Sequence, residues 1–137
     1  MAFASFLRRV LSRKQPEPVG VSAQTGKDGE SAAVRFLEDA GYRVLLRNWS
    51  CPIGEVDIVC LDGDTHVLVE VKSSRTLGML PPESRVGAKK RRKLTALAHY
   101  YVKHRRVQAP VRFDVISVWW ENDLAQVRHL RDAFHAR

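Results

Sequence analysis

Cysteine is scarce in this chain. Its 137 residues include only Cys51 and Cys60, too few for a disulfide framework and without the spacing of a zinc site. Reduced thiols and a cytoplasmic location are the expectation. No apolar run approaches the roughly 20 residues that span a bilayer as a helix, so no transmembrane segment is expected. A Walker loop, a nucleophile elbow and a His-Glu-x-x-His pair are also absent, which sets aside P-loop nucleotide hydrolysis, serine-hydrolase chemistry and zincin proteolysis. The five histidines, at 66, 99, 104, 129 and 135, are scattered through unlike segments and show no ligand pattern for zinc. There is no internal repeat.

The most telling absence is of one sign of charge. From 84 to 113 there is no acid, against ten basic residues that include Lys89, Lys90, Arg91, Arg92 and Lys93 in succession. The rest of the chain holds slightly more acid than base, so the whole net charge of +8 resides here. A solubilising helix face normally mixes signs; a block of one sign points to a polyanionic partner, nucleic acid first.

What is present begins with two strand-like segments, Gly54-Glu55-Val56-Asp57-Ile58-Val59-Cys60 and His66-Val67-Leu68-Val69-Glu70-Val71-Lys72, joined through Asp62-Gly63-Asp64. Alternation along a strand puts Glu70 and Lys72 on one face and Val67, Val69 and Val71 on the other. A tight hairpin centred near Gly63 gives paired positions summing to about 126, which sets Asp57 within a residue of Glu70. Two carboxylates held that close repel unless one takes a proton or a cation sits between them. Mg²⁺ or Mn²⁺, hard ions that take oxygen ligands, suit the place, and an adjacent ammonium can steady charge on a phosphoryl oxygen. For a lone Glu-x-Lys tripeptide, short and made of common residues, a solvated edge-strand face with cross-strand ion pairs is the better account, and only further residues can favour the site.

Two are available. A helix from about 85 to 103 would line up Leu94, Leu97, Ala98 and Tyr101 as its buried stripe, with Lys90 near the middle of that stripe and Lys89, Arg91, Arg92 and Lys93 splayed outward. Lys90 then faces the body of the protein, either snorkelling past apolar neighbours or reaching a substrate phosphate. A first helix over 28–40, capped by Asp28 and stopped by Gly41, buries Ala33, Phe36, Leu37 and Ala40. It carries Glu30 in its first turn, where an acid complements the helix dipole or reaches the carboxylate patch.

Residues 1–24 read as a basic, loosely ordered tail ahead of one domain over 25–137. Within it Phe3, Phe6, Leu7, Val10 and Leu11 recur at helical spacing beside Arg8, Arg9, Arg13 and Lys14, before Pro16 and Pro18. Such a segment could touch a membrane or a partner protein. After the first helix come strands over 42–48, 55–61 and 66–72, an irregular stretch with Gly78, Pro81 and Pro82, the basic helix, and strands near 111–119 and 125–130. That order predicts an α/β fold, a mixed central sheet flanked by helices.

The series Gly26-Lys27-Asp28-Gly29-Glu30, Gly54-Glu55-Val56-Asp57, Val69-Glu70-Val71-Lys72, Val86 with Lys90, Arg112-Phe113-Asp114 and Ala133-Phe134 resembles the YraN family of uncharacterised bacterial proteins. That family is similar to the PD-(D/E)xK nucleases, Holliday-junction resolvases among them. The resemblance implies a restriction-endonuclease-like core, with Asp57, Glu70 and the Val71 carbonyl holding Mg²⁺ (or Mn²⁺), Lys72 as the catalytic lysine and Glu30 as an auxiliary acid. Val56 stands where the superfamily pattern has proline. Lys89, Lys90, Arg91, Arg92 and Lys93 would hold DNA, branched or junction DNA in particular, and a junction substrate would call for a homodimer. The alternatives are a nucleic-acid-binding module without turnover and an adaptor that engages a membrane or protein through residues 3–14. Other residues read as structural: Arg112 and Asp114 as an in-strand ion pair, one of Trp119 and Trp120 as core and the other as cover for a sheet edge, with base stacking as their alternative use, and Asn48 and Trp49 as shapers of the turn into the second strand.

Overall fold

The computed structural model describes residues 22–79 and 87–134. The amphipathic segment 3–14, residues 81–86 and His135 lie outside the described residues. Helix α1 (Ser22–Asp39) is followed by strands β1 (Arg43–Cys51), β2 (Gly54–Asp62) and β3 (Thr65–Ser73), a 3₁₀ turn Leu77–Met79, helix α2 (Ala88–Arg105), and strands β4 (Val111–Glu121) and β5 (Leu124–Phe134). The five strands form one sheet in sequence order. All neighbours are antiparallel except β3 and β4, which run parallel and are joined through α2. This is the expected mixed α/β sheet with a helix on each face.

The two faces of the sheet bury different helices, as side-chain alternation requires. Ala33, Phe36 and Leu37 of α1 pack on Ile58, Cys60, Val67, Val69, Ile116, Val118 and Val127. Leu97, Ala98 and Tyr101 of α2 pack on Val56, Val59, Leu68 and Phe113. Burial pushes the Cys60 thiol up to about 12, so it stays protonated and inert. Among the described residues no helix is long and apolar enough to cross a membrane.

The β2–β3 hairpin turns through Gly63, whose φ of 60° lies in the left-handed region that glycine enters without penalty. Its register, Ile58↔Val69 to Asp62↔Thr65, is within one of the expected sum. Helix α1 stops as foreseen: Gly41 has φ 93°, and the Tyr42 N–H reaches back to the Leu37 carbonyl at 2.9 Å.

Its start is a correction. Asp28 is not a cap, because the helix begins at Ser22 and takes in residues assigned to the tail. Glu30 therefore sits in the body of the helix and not in its first turn, which removes the dipole as its explanation. Gly29, a costly residue inside a helix at roughly 1 kcal/mol relative to alanine, is there for proximity: a Cβ on it would lie 2.5 Å from the Cβ of Ser73. Only a bare backbone lets α1 approach the end of β3 this closely.

A buried charged network ties the strand ends together. The Asp114 carboxylate, fully buried, accepts from Arg112 Nε at 2.9 Å, Arg112 Nη2 at 3.0 Å, His129 Nε2 at 2.7 Å and the Asp132 N–H at 2.9 Å. Arg112 also donates to Asp62 at 2.8 Å and to the Tyr42 hydroxyl at 2.9 Å, and Arg131 donates to Asp62 at 3.0 Å. The Asp132 contact uses a register shift in the β4–β5 ladder, where Asp132 takes φ 56°. The in-strand Arg112–Asp114 pair is thus present, as one part of a larger structure. Trp119 is fully buried, and Trp120 is half-buried against the α1-side core.

Candidate functional site: an acidic cleft closed by a basic helix

On the α2 face, the start of β2, the end of β3 and the first turns of α2 enclose a cleft lined by Glu55, Asp57, Glu70, Lys72, Lys90 and Leu94. Its cavity of about 40 Å³ has room for roughly three waters or one partly hydrated ion. Each wall follows from the local chain. Glu70 and Lys72 share the α2 face of β3, since Val67 and Val69 are committed to the α1 core. Just past the Ile58↔Val69 pair, the Asp57 side chain takes the Val71 N–H at 2.7 Å, a bond that fixes its carboxylate against β3.

Asp57 is electrostatically uncomfortable. Its carboxyl is pushed up to about 6, first by burial and then by the charges of Glu30, Glu70 and Glu55, against the opposing pull of the Val71 N–H. Glu30 acts from α1 across the gap that Gly29 closes. Among the described residues, however, no three His, Cys, Asp or Glu side chains form a metal-holding cluster; the acids gather around Asp57 without making a closed cage.

The cations come from two elements. Lys72 Nζ lies 4.0 Å from Glu70 Oε2. Lys90 turns inward, as its helix position predicts, and its ammonium meets Glu70 Oε1 at 2.6 Å while the side chain remains 48% exposed. Lys89, Arg91 and Arg92 are exposed. Lys93 is exposed as well, as expected, although its stem passes close to the backbone of β2: its Cε lies 3.0 Å from where a Gly54 Cβ would be. No acid occupies the first turn of α2, so the positive end of the helix dipole is reinforced by cations, which is unfavourable unless an anion joins them.

Sequence reasoning missed two groups. His129, Tyr42 and Asp62 join Arg112 and Asp114 from distant segments, a connection that no local spacing signals. Trp49, read as a turn residue, packs edge-on to Tyr101 at 5.4 Å and 6.1 Å from Tyr100; its position beside the basic helix had no sequence signature. Asn48 does adopt a turn-like φ of 51° within β1.

Fold and cleft together define a class: a small α/β protein with a mixed five-stranded sheet whose parallel pair supports an acid-lined, lysine-gated cleft. Residues 29–118 match the model of the uncharacterised protein family UPF0102, and the chain belongs to that family. It is 39% identical over 112 residues to a UPF0102 protein of Syntrophus aciditrophicus, covering 81% of this chain and 88% of the relative. A UPF0102 protein of Moorella thermoacetica is 42% identical over 114 residues, covering 80% and 93%. One from Paenarthrobacter aurescens is 42% identical over 109 residues, covering 77% and 89%.

Proposed function

We propose that this protein is a metal-dependent, restriction-endonuclease-like nuclease that hydrolyses phosphodiester bonds in DNA, with branched or junction DNA as the favoured substrate. It would work in the cytoplasm, as a homodimer if two strands must be cut. The observation that carries the reading is the convergence of Asp57, Glu70, Lys72 and Lys90 in one cleft, with the Asp57 carboxyl pushed up to about 6 by burial first and by the charges of Glu30, Glu70 and Glu55 after it. A balanced structural ion pair would not be left in that state.

The donor set suits a hard divalent ion. Asp57 and Glu70, with the Val71 carbonyl, would hold Mg²⁺ or Mn²⁺, and an incomplete protein cage is what Mg²⁺ accepts, since it keeps several waters. When bound, the ion would supply Lewis-acid polarisation of a phosphoryl oxygen. The remaining work falls to side chains of this chain. Lys72 Nζ would orient the attacking water and stabilise the charge that grows on phosphorus-bound oxygen. Lys90 and Lys93, with the cationic start of α2, would hold flanking phosphates, and Glu30 would strengthen the negative field at Asp57 from the far side.

The test is incubation of the full chain with Mg²⁺ or Mn²⁺ and single-stranded, duplex, flap and four-way-junction DNAs, with calorimetric titration of Mn²⁺. Cleavage and Mn²⁺ binding should both vanish in Asp57→Ala while circular dichroism is unchanged. Cleavage of no substrate with either ion, together with unchanged Mn²⁺ affinity in Asp57→Ala, would overturn it. One contact favours a second reading, a nucleic-acid-binding module without turnover: the 2.6 Å Lys90–Glu70 pair already supplies Glu70 with a cation. Tight DNA binding that ignores divalent ions would establish that reading instead.

A further inference from the structure

The flank of α2 that faces β1 carries more than charge. Tyr100 and His104, one turn apart, stack with ring centroids 4.4 Å apart and planes within 19°. Their side chains also meet at 3.3 Å between hydroxyl and Nε2. Trp49 stands beside Tyr100 at 6.1 Å. Trp49 is half-buried against the α2-side core and Tyr100 is half-buried beside it, whereas His104 is exposed on the outside of the stack. The platform is aligned with the cleft: Trp49 pairs with Val56 while Cys51 pairs with Gly54, and Lys93 lies across Gly54. From Lys93 to Tyr100 is two helical turns, roughly 10 Å.

We propose that Lys93, Trp49, Tyr100 and His104 form a track for an unpaired nucleic-acid strand leaving the cleft, with a base stacked on the Tyr100–His104 pair. It rests on the nucleic-acid reading above and adds the form of the substrate. Phosphates meet Lys93 at the mouth, and the next few bases meet aromatic faces. A duplex cannot use such a platform, because the faces of its bases are covered by their neighbours; an unpaired base presents a free π-face. The tryptophans nominated from sequence do not serve this purpose, since Trp119 is fully buried and Trp120 packs on the α1-side core, away from the basic helix. Trp49 is the one placed beside the basic helix.

The test compares two labelled single strands of twelve residues in EDTA, oligothymidylate and an abasic strand with the same phosphates, measured by fluorescence anisotropy. Because no metal is present, the result is independent of whether the protein cleaves. The thymidine strand should bind about 5-fold or more tightly than the abasic one, a ratio in keeping with one stacked base. His104→Ala and Tyr100→Ala should each bring the ratio towards one and leave abasic binding unchanged. His104 is exposed and Tyr100 half-buried, so retained thermal unfolding midpoints certify the fold, and His104→Ala decides the matter if Tyr100→Ala loses it. Oligodeoxyuridylate and oligouridylate arms, which share a base and differ at the 2′ position, identify the sugar: whichever of the two binds tighter names DNA or RNA as the source. Equal affinity for the base-bearing and abasic strands, binding of neither, or a ratio unmoved in both variants would overturn the track. Cleavage of DNA alongside any of those outcomes would leave the nuclease reading standing without it.

Discussion

Asp57 and Asp114 are both aspartates on central strands of one sheet, and the protein treats them in opposite ways. Burial works against the charge of each. At Asp114, hydrogen bonds from His129, Arg112 and the Asp132 N–H outweigh that cost and hold the carboxyl below its usual range. At Asp57 a single backbone N–H opposes burial, three further acids add to it, and the carboxyl rises to about 6. The contrast teaches that a cluster of acids does not mark a site by itself. What distinguishes Asp57 is that burial and neighbouring acids outweigh the one N–H that stabilises its charge.

The sharpest way to break this contrast is to unbalance the balanced side. Asp114→Asn leaves the Arg112 guanidinium, 14% exposed, without its main counter-charge, and should destabilise the protein by about 3–5 kcal/mol in urea unfolding at pH 7. A loss below about 1 kcal/mol would put the network on a par with a surface pair. Next is chemistry. On the nuclease reading proposed above, Lys72→Ala should lower single-turnover cleavage by roughly 100-fold while DNA affinity moves by no more than a few-fold, because the ammonium would act on charge that develops only in the transition state. An equal loss in affinity and rate would mark Lys72 as a binding residue.

A smaller effect of opposite sign belongs to Asp57. Its folded value of about 6 lies above the ordinary 3.8, so its contribution to stability is fully present below the ordinary value and is lost as pH rises through about 6. Asp57→Asn keeps an acceptor for the Val71 N–H and removes the charge. It should stabilise the metal-free protein at pH 8 by on the order of 1 kcal/mol, after allowance for solvent screening of a half-exposed group, and should confer no gain at pH 4. Asp114 must run the other way: its contribution is present above the ordinary carboxylate range and fades as pH falls below it. Parallel pH-dependent melts of the two variants check both signs. The smallest change concerns the outer cations: replacing Lys89, Arg91 and Arg92 by Ala should make the log–log salt dependence of DNA binding shallower by about 2–3, from about −4 to −5 in the parent chain.

The cleft was legible in the sequence where chemistry and strand period coincide. Glu70, Lys72 and Asp57 are read from alternation and from a turn at Gly63, and Lys90 from its angle on a helix whose apolar stripe is clear. Reading failed where tertiary contact overrides local preference. Two glycines at 26 and 29 argue against a helix from Ser22, and Asp28 looks like a cap; the reason the helix continues through Gly29 is its contact with Ser73, far along the chain. The Arg112 network could be seen only as its i, i+2 pair.

The hairpin that supplies Glu55, Asp57, Glu70 and Lys72 turns through one glycine-centred loop, and this has a consequence for the order in which the protein assembles. Hairpins close on a timescale of about 1–10 μs, whereas the cations of α2 and the β5 partners of Arg112 arrive only after much longer loops have formed. The first long-lived native structure is therefore expected to bring Asp57 and Glu70 together before Lys90 is there to separate them. Early folding then works against charge repulsion that the finished protein has partly relieved, and Asp57→Asn should refold faster than the parent chain in stopped-flow mixing at pH 7. A refolding rate equal to the parent's, or slower, would place the docking of α2 ahead of the hairpin.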